Sequence, residues 1–210
     1  MFERLAERFS GVKRNAVDCL ATTPKDSTGE VNRVCENMDV SQGKLVLGFT
    51  TKHTGDDRET AFLAVFADLF GGGPYSKLFT NVREKMSLCY YCAARPNRTK
   101  GYLLVDCGVE AQNAKKAEEE ILNQLKALQN GEITDDELNA SVSSIKDSLY
   151  CLNDSQAALD GWYGMRINNK PITPEEFAQL IDGVTKEDIV KAANEYTLDT
   201  VYSIMPLERE

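Results

Sequence analysis

The residues best suited to chemistry lie in one stretch, where an arginine and a tyrosine stand seven positions apart. Arg83 falls in a segment whose apolar residues recur every four positions from Leu78 to Met86, which predicts a helix over 75–86. Tyr90 falls in the aromatic-rich run that follows, which favours a strand. We therefore expect the guanidinium and the phenol to lie close together at one end of a sheet. There they can bind a carbonyl or carboxylate group through several donors.

The second chemical signal is the near absence of histidine. A zinc-peptidase helix of the H-E-x-x-H or H-x-x-E-H type needs two histidines, and the chain contains only His53. This chain therefore cannot build such a zinc site alone, and we predict that it holds no metal, no cofactor and no catalytic residue. His53 beside Asp56 and Asp57 could form half of a metal site. We favour a polar turn in which an aspartate caps the next helix.

Three other patterns have a chemical and a structural interpretation. The run Gly71-Gly72-Gly73 could cradle phosphate, but the Walker pattern G-x-x-x-x-G-K-[ST] is missing, so we favour a loop before a helix. Cys89 and Cys92 have C-x-x-C spacing. Positions three apart on a strand face opposite sides, so we expect these thiols to diverge and assign them no metal or redox role. Trp162 and Tyr163 are predicted to be core or interface residues.

Length, charge and composition limit the function classes. The 210 residues fit one domain with an appended arm, and a 42% hydrophobic fraction indicates a globular protein. A net charge of −9 without a basic cluster disfavours nucleic-acid and anionic-membrane partners. No apolar run reaches the ~20 residues that span a bilayer. The scattered cysteines and the lack of a long apolar N-terminal segment predict a cytoplasmic protein.

Periodicity predicts an α+β fold. Residues 1–36 are assigned to an N-terminal arm or linker, and residues 37–210 to one domain. The predicted strands cover about 44–51, 88–95, 101–109 and 200–205. The predicted helices cover about 57–70, 75–86, 113–130, 155–168 and 186–196, with further helices beginning after Thr134 and Thr173. This order predicts a two-layer sandwich, a ferredoxin-like split βαβ elaborated with extra helices on a mostly antiparallel sheet.

Three segments together resemble a known peptidase family. They are the run from Gly71 to Tyr91, which contains Arg83 and Tyr90, and the segments 38–45 and 131–138. The likeness covers about residues 34–206. It is to the C-terminal, non-catalytic repeat of the zinc metallopeptidases that include pitrilysin, insulin-degrading enzyme and mitochondrial processing peptidase. Arg83 and Tyr90 match the Arg-to-Tyr motif of that repeat residue by residue.

The resemblance implies a function in peptide hydrolysis that this chain does not carry out alone. In the family, repeats enclose a chamber, zinc lies on an H-x-x-E-H repeat, and the Arg and Tyr of another repeat bind the peptide. It implies that Arg83 and Tyr90 bind substrate, and that the partner is a zinc-bearing domain or subunit of the same family. An alternative is a catalytically dead scaffold or interaction module of the same family. A small-molecule-binding ferredoxin-like domain is a third interpretation, which no cofactor motif supports.

Overall fold

The computed structural model describes residues 2–13, 29–51, 57–97, 100–166 and 172–207. Five strands form one sheet in the order β1-β5-β2-β4-β3. Within it β1 and β5 run parallel, and every other neighbouring pair is antiparallel. The strands are β1 (Asn32–Met38), β2 (Gly43–Thr50), β3 (Cys89–Asn97), β4 (Tyr102–Val109) and β5 (Thr197–Pro206).

Helices cover one face of this sheet. Alternate residues of β2, Leu45, Leu47 and Phe49, are buried, and β4 adds the buried residues directly opposite them. Phe66 stacks on Phe70 within the second helix, at a centroid distance of 5.7 Å. The α-helices are α1 (Phe2–Ser10), α2 (Asp57–Gly71), α3 (Ala114–Gln129), α4 (Asp135–Tyr150), α5 (Gln156–Gly164), α6 (Pro174–Asp182) and α7 (Lys186–Glu195). A π-helix occupies Leu78–Lys85. The predicted α+β sandwich with a mostly antiparallel sheet is confirmed.

Three of the later helices begin as their sequences predict. The side chains of Thr134 and Thr173 each accept a hydrogen bond from the backbone N–H three residues on. In both cases the glutamate at that position accepts a hydrogen bond from the backbone N–H of the threonine. Thr185 forms the same capping box with Asp188. Such boxes satisfy two otherwise unpaired N–H groups, so a few local residues are enough to start each helix.

Strand β1 is not predicted by the sequence analysis, which placed residues 1–36 in an arm. All seven of its residues are exposed, so the alternation of buried and exposed positions that marks a half-buried strand is missing. The strand is held by parallel pairing with β5, from Asn32 opposite Thr200 to Met38 opposite Pro206. This pairing is between distant parts of the chain, and the division into an arm and a domain stays a prediction.

Met86 lies outside the helix in which the sequence places it. Met86 was expected on the apolar stripe of its helix, but the π-helix ends at Lys85, and Met86 lies in the following turn with 48% of its surface exposed.

In the described parts of the chain, no helix is both long enough and apolar enough to cross a bilayer.

Candidate functional site

The π-helix and β3 meet in a short, irregular connection, which we call the π–β3 corner (residues 78–91). The Met86 N–H donates to the carbonyl of Asn81, five residues back, at 3.2 Å. The Ser87 N–H donates to the Arg83 carbonyl at 3.1 Å, and Ser87 has a positive φ of 50°. Non-glycine residues seldom adopt this backbone region, and π-helical turns often occur at functional sites. The backbone of the corner is therefore unusual in two respects.

The π-helix is anchored to the helical layer at its base. Lys77 Nζ lies 2.7 Å from Glu137 Oε1, and both side chains are mostly buried. The Asn81 amide donates to Gln124 Oε1 at 2.8 Å, which ties the π-helix to α3. Leu78 and Val82 are fully buried below it. These contacts hold one side of the π-helix in the core and leave Arg83 on the other side.

The triple glycine acts by allowing close packing. The predicted loop at Gly71–Gly73 is only partly right, because Gly71 ends α2 and the turns extend over residues 72–76, two residues into the predicted helix. A Cβ atom on Gly71 would lie 2.5 Å from the backbone nitrogen of Ala94 in β3, so only glycine lets the end of α2 approach this strand. Next to it, the Tyr75 hydroxyl donates to Asp68 at 2.6 Å. Burial, reinforced by this bond, raises the pKa of Tyr75 to about 12.

Arg83 lies on the last turn of the π-helix, as the sequence predicts. Its guanidinium carbon is 4.5 Å from the centre of the Phe79 ring, in cation–π geometry. Its Nη1 lies 3.6 Å from Glu84 Oε1, and 39% of the side chain is exposed. Within the described residues this ion pair is long, and it uses only part of the five guanidinium donors.

Tyr90 lies at a β-bulge at the start of β3. Cys89 pairs with Val109 and Tyr91 pairs with Gly108, so Tyr90 is an extra residue without a partner in β4. Its side chain is 58% exposed, and its hydroxyl donates to Glu110 Oε1 at 3.1 Å. The hydrogen bond and the negative charge of Glu110 raise the pKa of the phenol. Tyr90 therefore stays protonated, and able to donate, at neutral pH.

The structure brings Arg83 and Tyr90 to the same corner, but it does not bond one to the other. Arg83 contacts Phe79 and Glu84, whereas Tyr90 contacts Glu110. Glu110 was not identified from the sequence, because its position beside Tyr90 depends on the register of β3 and β4. Each donor thus has its own exposed carboxylate partner, Glu84 for Arg83 and Glu110 for Tyr90.

The prediction that the Cys89 and Cys92 thiols diverge is wrong, because the bulge lies between them. On a regular strand, positions three apart face opposite sides, but the extra residue returns Cys92 to the same side as Cys89. Cys92 pairs with Cys107 of β4, so all three cysteines lie on one face of the β3–β4 pair. The outward-facing Tyr91 lies over Gly108, where a Cβ atom would be 2.5 Å from its ring. A glycine opposite an aromatic residue is a sequence signal that favours the observed register.

The other candidate residues are not part of this corner. Trp162 is buried, and its indole N–H donates to the Ile172 carbonyl at 2.9 Å, while Tyr163 is 40% exposed. Trp162 is thus a core residue, as predicted. His53 and Asp56, and the side chain of Asp57, lie outside the described residues. No group of three or more His, Cys, Asp or Glu in the described part of the chain is arranged to hold a metal ion.

The fold and the corner together define a class of protein. The chain is an α+β domain with an exposed phenol and a part-exposed guanidinium at one corner, and its described residues hold no group of three or more metal-ligand side chains. The model of the peptidase M16 inactive domain matches residues 2–145. The chain belongs to this family, which confirms the resemblance to the pitrilysin-like zinc peptidases.

Similar proteins agree with this assignment. The chain is 34% identical over 203 residues to the "Probable inactive metalloprotease YmfF" of Bacillus subtilis, covering 96% of this chain and 48% of that protein. It is 27% identical over 165 residues to an "Uncharacterized zinc protease" of Rickettsia bellii, covering 75% and 39%. The chain thus spans about half or less of the length of these relatives.

Solved structures show the same fold. A conserved protein from Enterococcus faecalis V583 superposes with a TM-score of 0.89 at 24% identity, covering 99% of this chain and 50% of that one. A peptidase M16 inactive domain from Pseudomonas fluorescens gives 0.72 at 20% identity, covering 86% and 45%.

Proposed function

We propose that this chain is the substrate-binding, non-catalytic domain of an M16 zinc peptidase. In this proposal Arg83 and Tyr90 bind the peptide backbone near the bond that a zinc-bearing domain or subunit hydrolyses. The observation that carries it is the bulge at Tyr90, which exposes a protonated phenol on the same corner as a guanidinium with unused donors. Bulges often redirect a side chain in this way next to active sites.

The proposal includes a zinc-bearing partner because this chain has only one histidine. A single histidine cannot supply H-x-x-E-H, so the metal and the attacking water have to come from elsewhere. The matched relatives are about twice as long as the part that this chain covers, which leaves room for a second domain in proteins of this kind. In the assembled enzyme, the phenol and guanidinium orient the peptide and stabilise the negative charge that develops on the attacked carbonyl oxygen.

A scaffold function is the second candidate. The Bacillus subtilis relative is named a probable inactive metalloprotease, which favours a family branch that has lost hydrolysis. In that case the corner binds a partner or a peptide without any turnover.

The test is to reconstitute this chain with the H-x-x-E-H-bearing domain or subunit encoded in the same genome, and to measure turnover, peptide affinity and zinc content. We expect Tyr90→Phe to lower turnover by about 10²–10³ with zinc content unchanged, because one charge-stabilising donor is lost while the ring remains. Arg83→Ala should weaken peptide affinity as well.

Two matched controls separate binding from general damage. Tyr91→Phe removes the neighbouring phenol, which bonds to Asp106, and Lys85→Ala removes the neighbouring exposed cation. Both should leave turnover within about twofold of wild type, since neither group is part of the proposed site. If the Arg83 and Tyr90 variants match wild type in an active assembly, the proposed binding role is wrong. An assembly without turnover that still binds peptides through Arg83 supports the scaffold.

A further inference from the structure

The bulge that exposes Tyr90 also creates a cluster of three thiols, Cys89, Cys92 and Cys107. Cys92 and Cys107 are directly opposite one another on neighbouring antiparallel strands, and Cys89 lies on the same face. Directly opposite residues have Cα atoms about 4.5–5.5 Å apart, which is within the range that a disulfide spans. The register thus holds Cys92 and Cys107 at bonding separation, with Cys89 diagonal to Cys107, and all three cysteines are free.

The three thiols differ in access to solvent. Cys89 is partly exposed, whereas Cys92 and Cys107 are 6% and 0% exposed. An oxidant from solvent therefore meets Cys89 first, while the other two are shielded from it. This is the arrangement of a reactive cysteine with neighbouring cysteines that can complete a disulfide.

The thiols also differ in acidity. Hydrogen bonds from Cys107 and Cys92, together with the positive charge of Arg83, lower the pKa of Cys89 despite its partial burial. Hydrogen bonding within the cluster and burial raise the pKa of Cys92 and of Cys107. Cys89 is thus the most acidic of the three thiols, and the thiolate is the nucleophilic form.

We propose that Cys89, Cys92 and Cys107 form an oxidisable site, in which Cys89 reacts with a hydroperoxide and one of the two buried thiols closes a disulfide. The Cys89 sulfur attacks the peroxide oxygen, an S–O bond forms and the O–O bond breaks, and the leaving oxygen departs as an alcohol or water after taking a proton. A buried thiol then attacks the sulfenic sulfur, so that an S–S bond forms, the S–O bond breaks and water leaves. Two thiols lose two electrons and two protons, which the hydroperoxide accepts.

This site is separate from the peptide-binding proposal, and its test does not require an active peptidase. The first measurement is competitive alkylation of the native chain with iodoacetamide at about pH 6, where ordinary thiols are protonated. The exposed Cys35 and Cys151 serve as internal controls. We expect Cys89 to react about tenfold faster than either, although it is less exposed. If Cys35 and Cys151 react first, exposure alone determines reactivity and the proposal is overturned.

The second measurement identifies the product. The native chain is treated with hydrogen peroxide, the remaining thiols are alkylated, and the peptides are mapped by mass spectrometry. We expect a disulfide between Cys89 and either Cys92 or Cys107, or between the last two after exchange, each with the mass loss of one hydrogen molecule. Cys89→Ser should prevent it, and Cys151→Ser should not. A disulfide that forms equally well in Cys89→Ser, or oxidation confined to Cys35 and Cys151, contradicts the proposal.

Discussion

The π–β3 corner and the helical block from α4 to α7 (residues 135–195) use the backbone in opposite ways. In the described part of the block, α4, α6 and α7 all begin with a capping box, and the irregular part is a short 3₁₀ helix at Cys151–Asp154. The corner combines a π-helix, a serine with positive φ and a β-bulge within fourteen residues (78–91). The block contributes Trp162, Phe177 and Ile181 to the core, whereas the corner exposes Tyr90 and part of Arg83 above its buried Leu78 and Val82. The irregular backbone of the corner thus lies where the two candidate site residues are displayed.

This difference predicts where substitutions affect stability and where they affect binding. Lys77 and Glu137 connect the two regions, since Lys77 precedes the π-helix and Glu137 belongs to the capping box of α4. Variants in the block, at this connection and in the corner should therefore have decreasing effects on the free energy of unfolding.

The largest effect on stability is expected from Trp162→Ala in the block. The substitution leaves a cavity beside Phe177, whose ring centroid is 5.6 Å away, and removes the donor to the buried Ile172 carbonyl. Losses of this kind cost about 3–5 kcal/mol. Urea denaturation measures it, with Tyr163→Ala as the control on the same helix, expected within about 0.5 kcal/mol of wild type because Tyr163 is exposed. Equal losses for the two variants would show that α5 does not contribute to the core.

A smaller, pH-dependent effect is expected from Glu137→Gln. Burial disfavours the charged carboxylate, but hydrogen bonds from Lys77 and Thr134 outweigh it and lower the pKa of Glu137. A carboxyl group with a lowered pKa stabilises the fold above its ordinary pKa, and this contribution is lost as pH falls through the lowered value. Wild type should therefore be more stable than the variant by about 1 kcal/mol at neutral pH, because the pair is partly solvated.

The stability difference between wild type and Glu137→Gln should shrink as the pH becomes acidic. Paired urea denaturation curves over an acid-to-neutral series measure it. Glu132→Gln is the control, because Glu132 is an exposed residue just before α4. A difference that stays constant with pH would mean that Glu137 acts through its size or its cap alone, and the connection between the regions would not be electrostatic.

The smallest effect on stability is expected from Arg83→Ala in the corner. The side chain loses its contacts with the Phe79 ring and Glu84, both at the surface of the domain. We expect a change within about 0.5 kcal/mol in the free energy of unfolding, measured by thermal melting beside Lys85→Ala. A loss as large as that of Trp162→Ala would make Arg83 a structural residue and remove the contrast between the two regions.

Locally encoded elements are predictable from the sequence, whereas elements held by distant pairing are not. The helices after Thr134, Thr173 and Thr185 were predicted from three or four adjacent residues, and the sheet from alternating β2 and from the β3–β4 hairpin. Strand β1 was missed because its stability comes from pairing with β5, which lies over 160 residues away in the chain. Exposed strands have no burial pattern of their own to indicate them.

For the corner, the sequence alone determined which residue types are present and their order along the chain. The spacing of Arg83 and Tyr90 placed them at a helix end and a strand start, as the structure has them. Tertiary structure decided the rest, because the bulge depends on how β3 aligns with β4. One extra residue in that alignment exposes Tyr90 beside Glu110 and places Cys89, Cys92 and Cys107 on one face. A period-two pattern within a single strand does not contain the register of its neighbour.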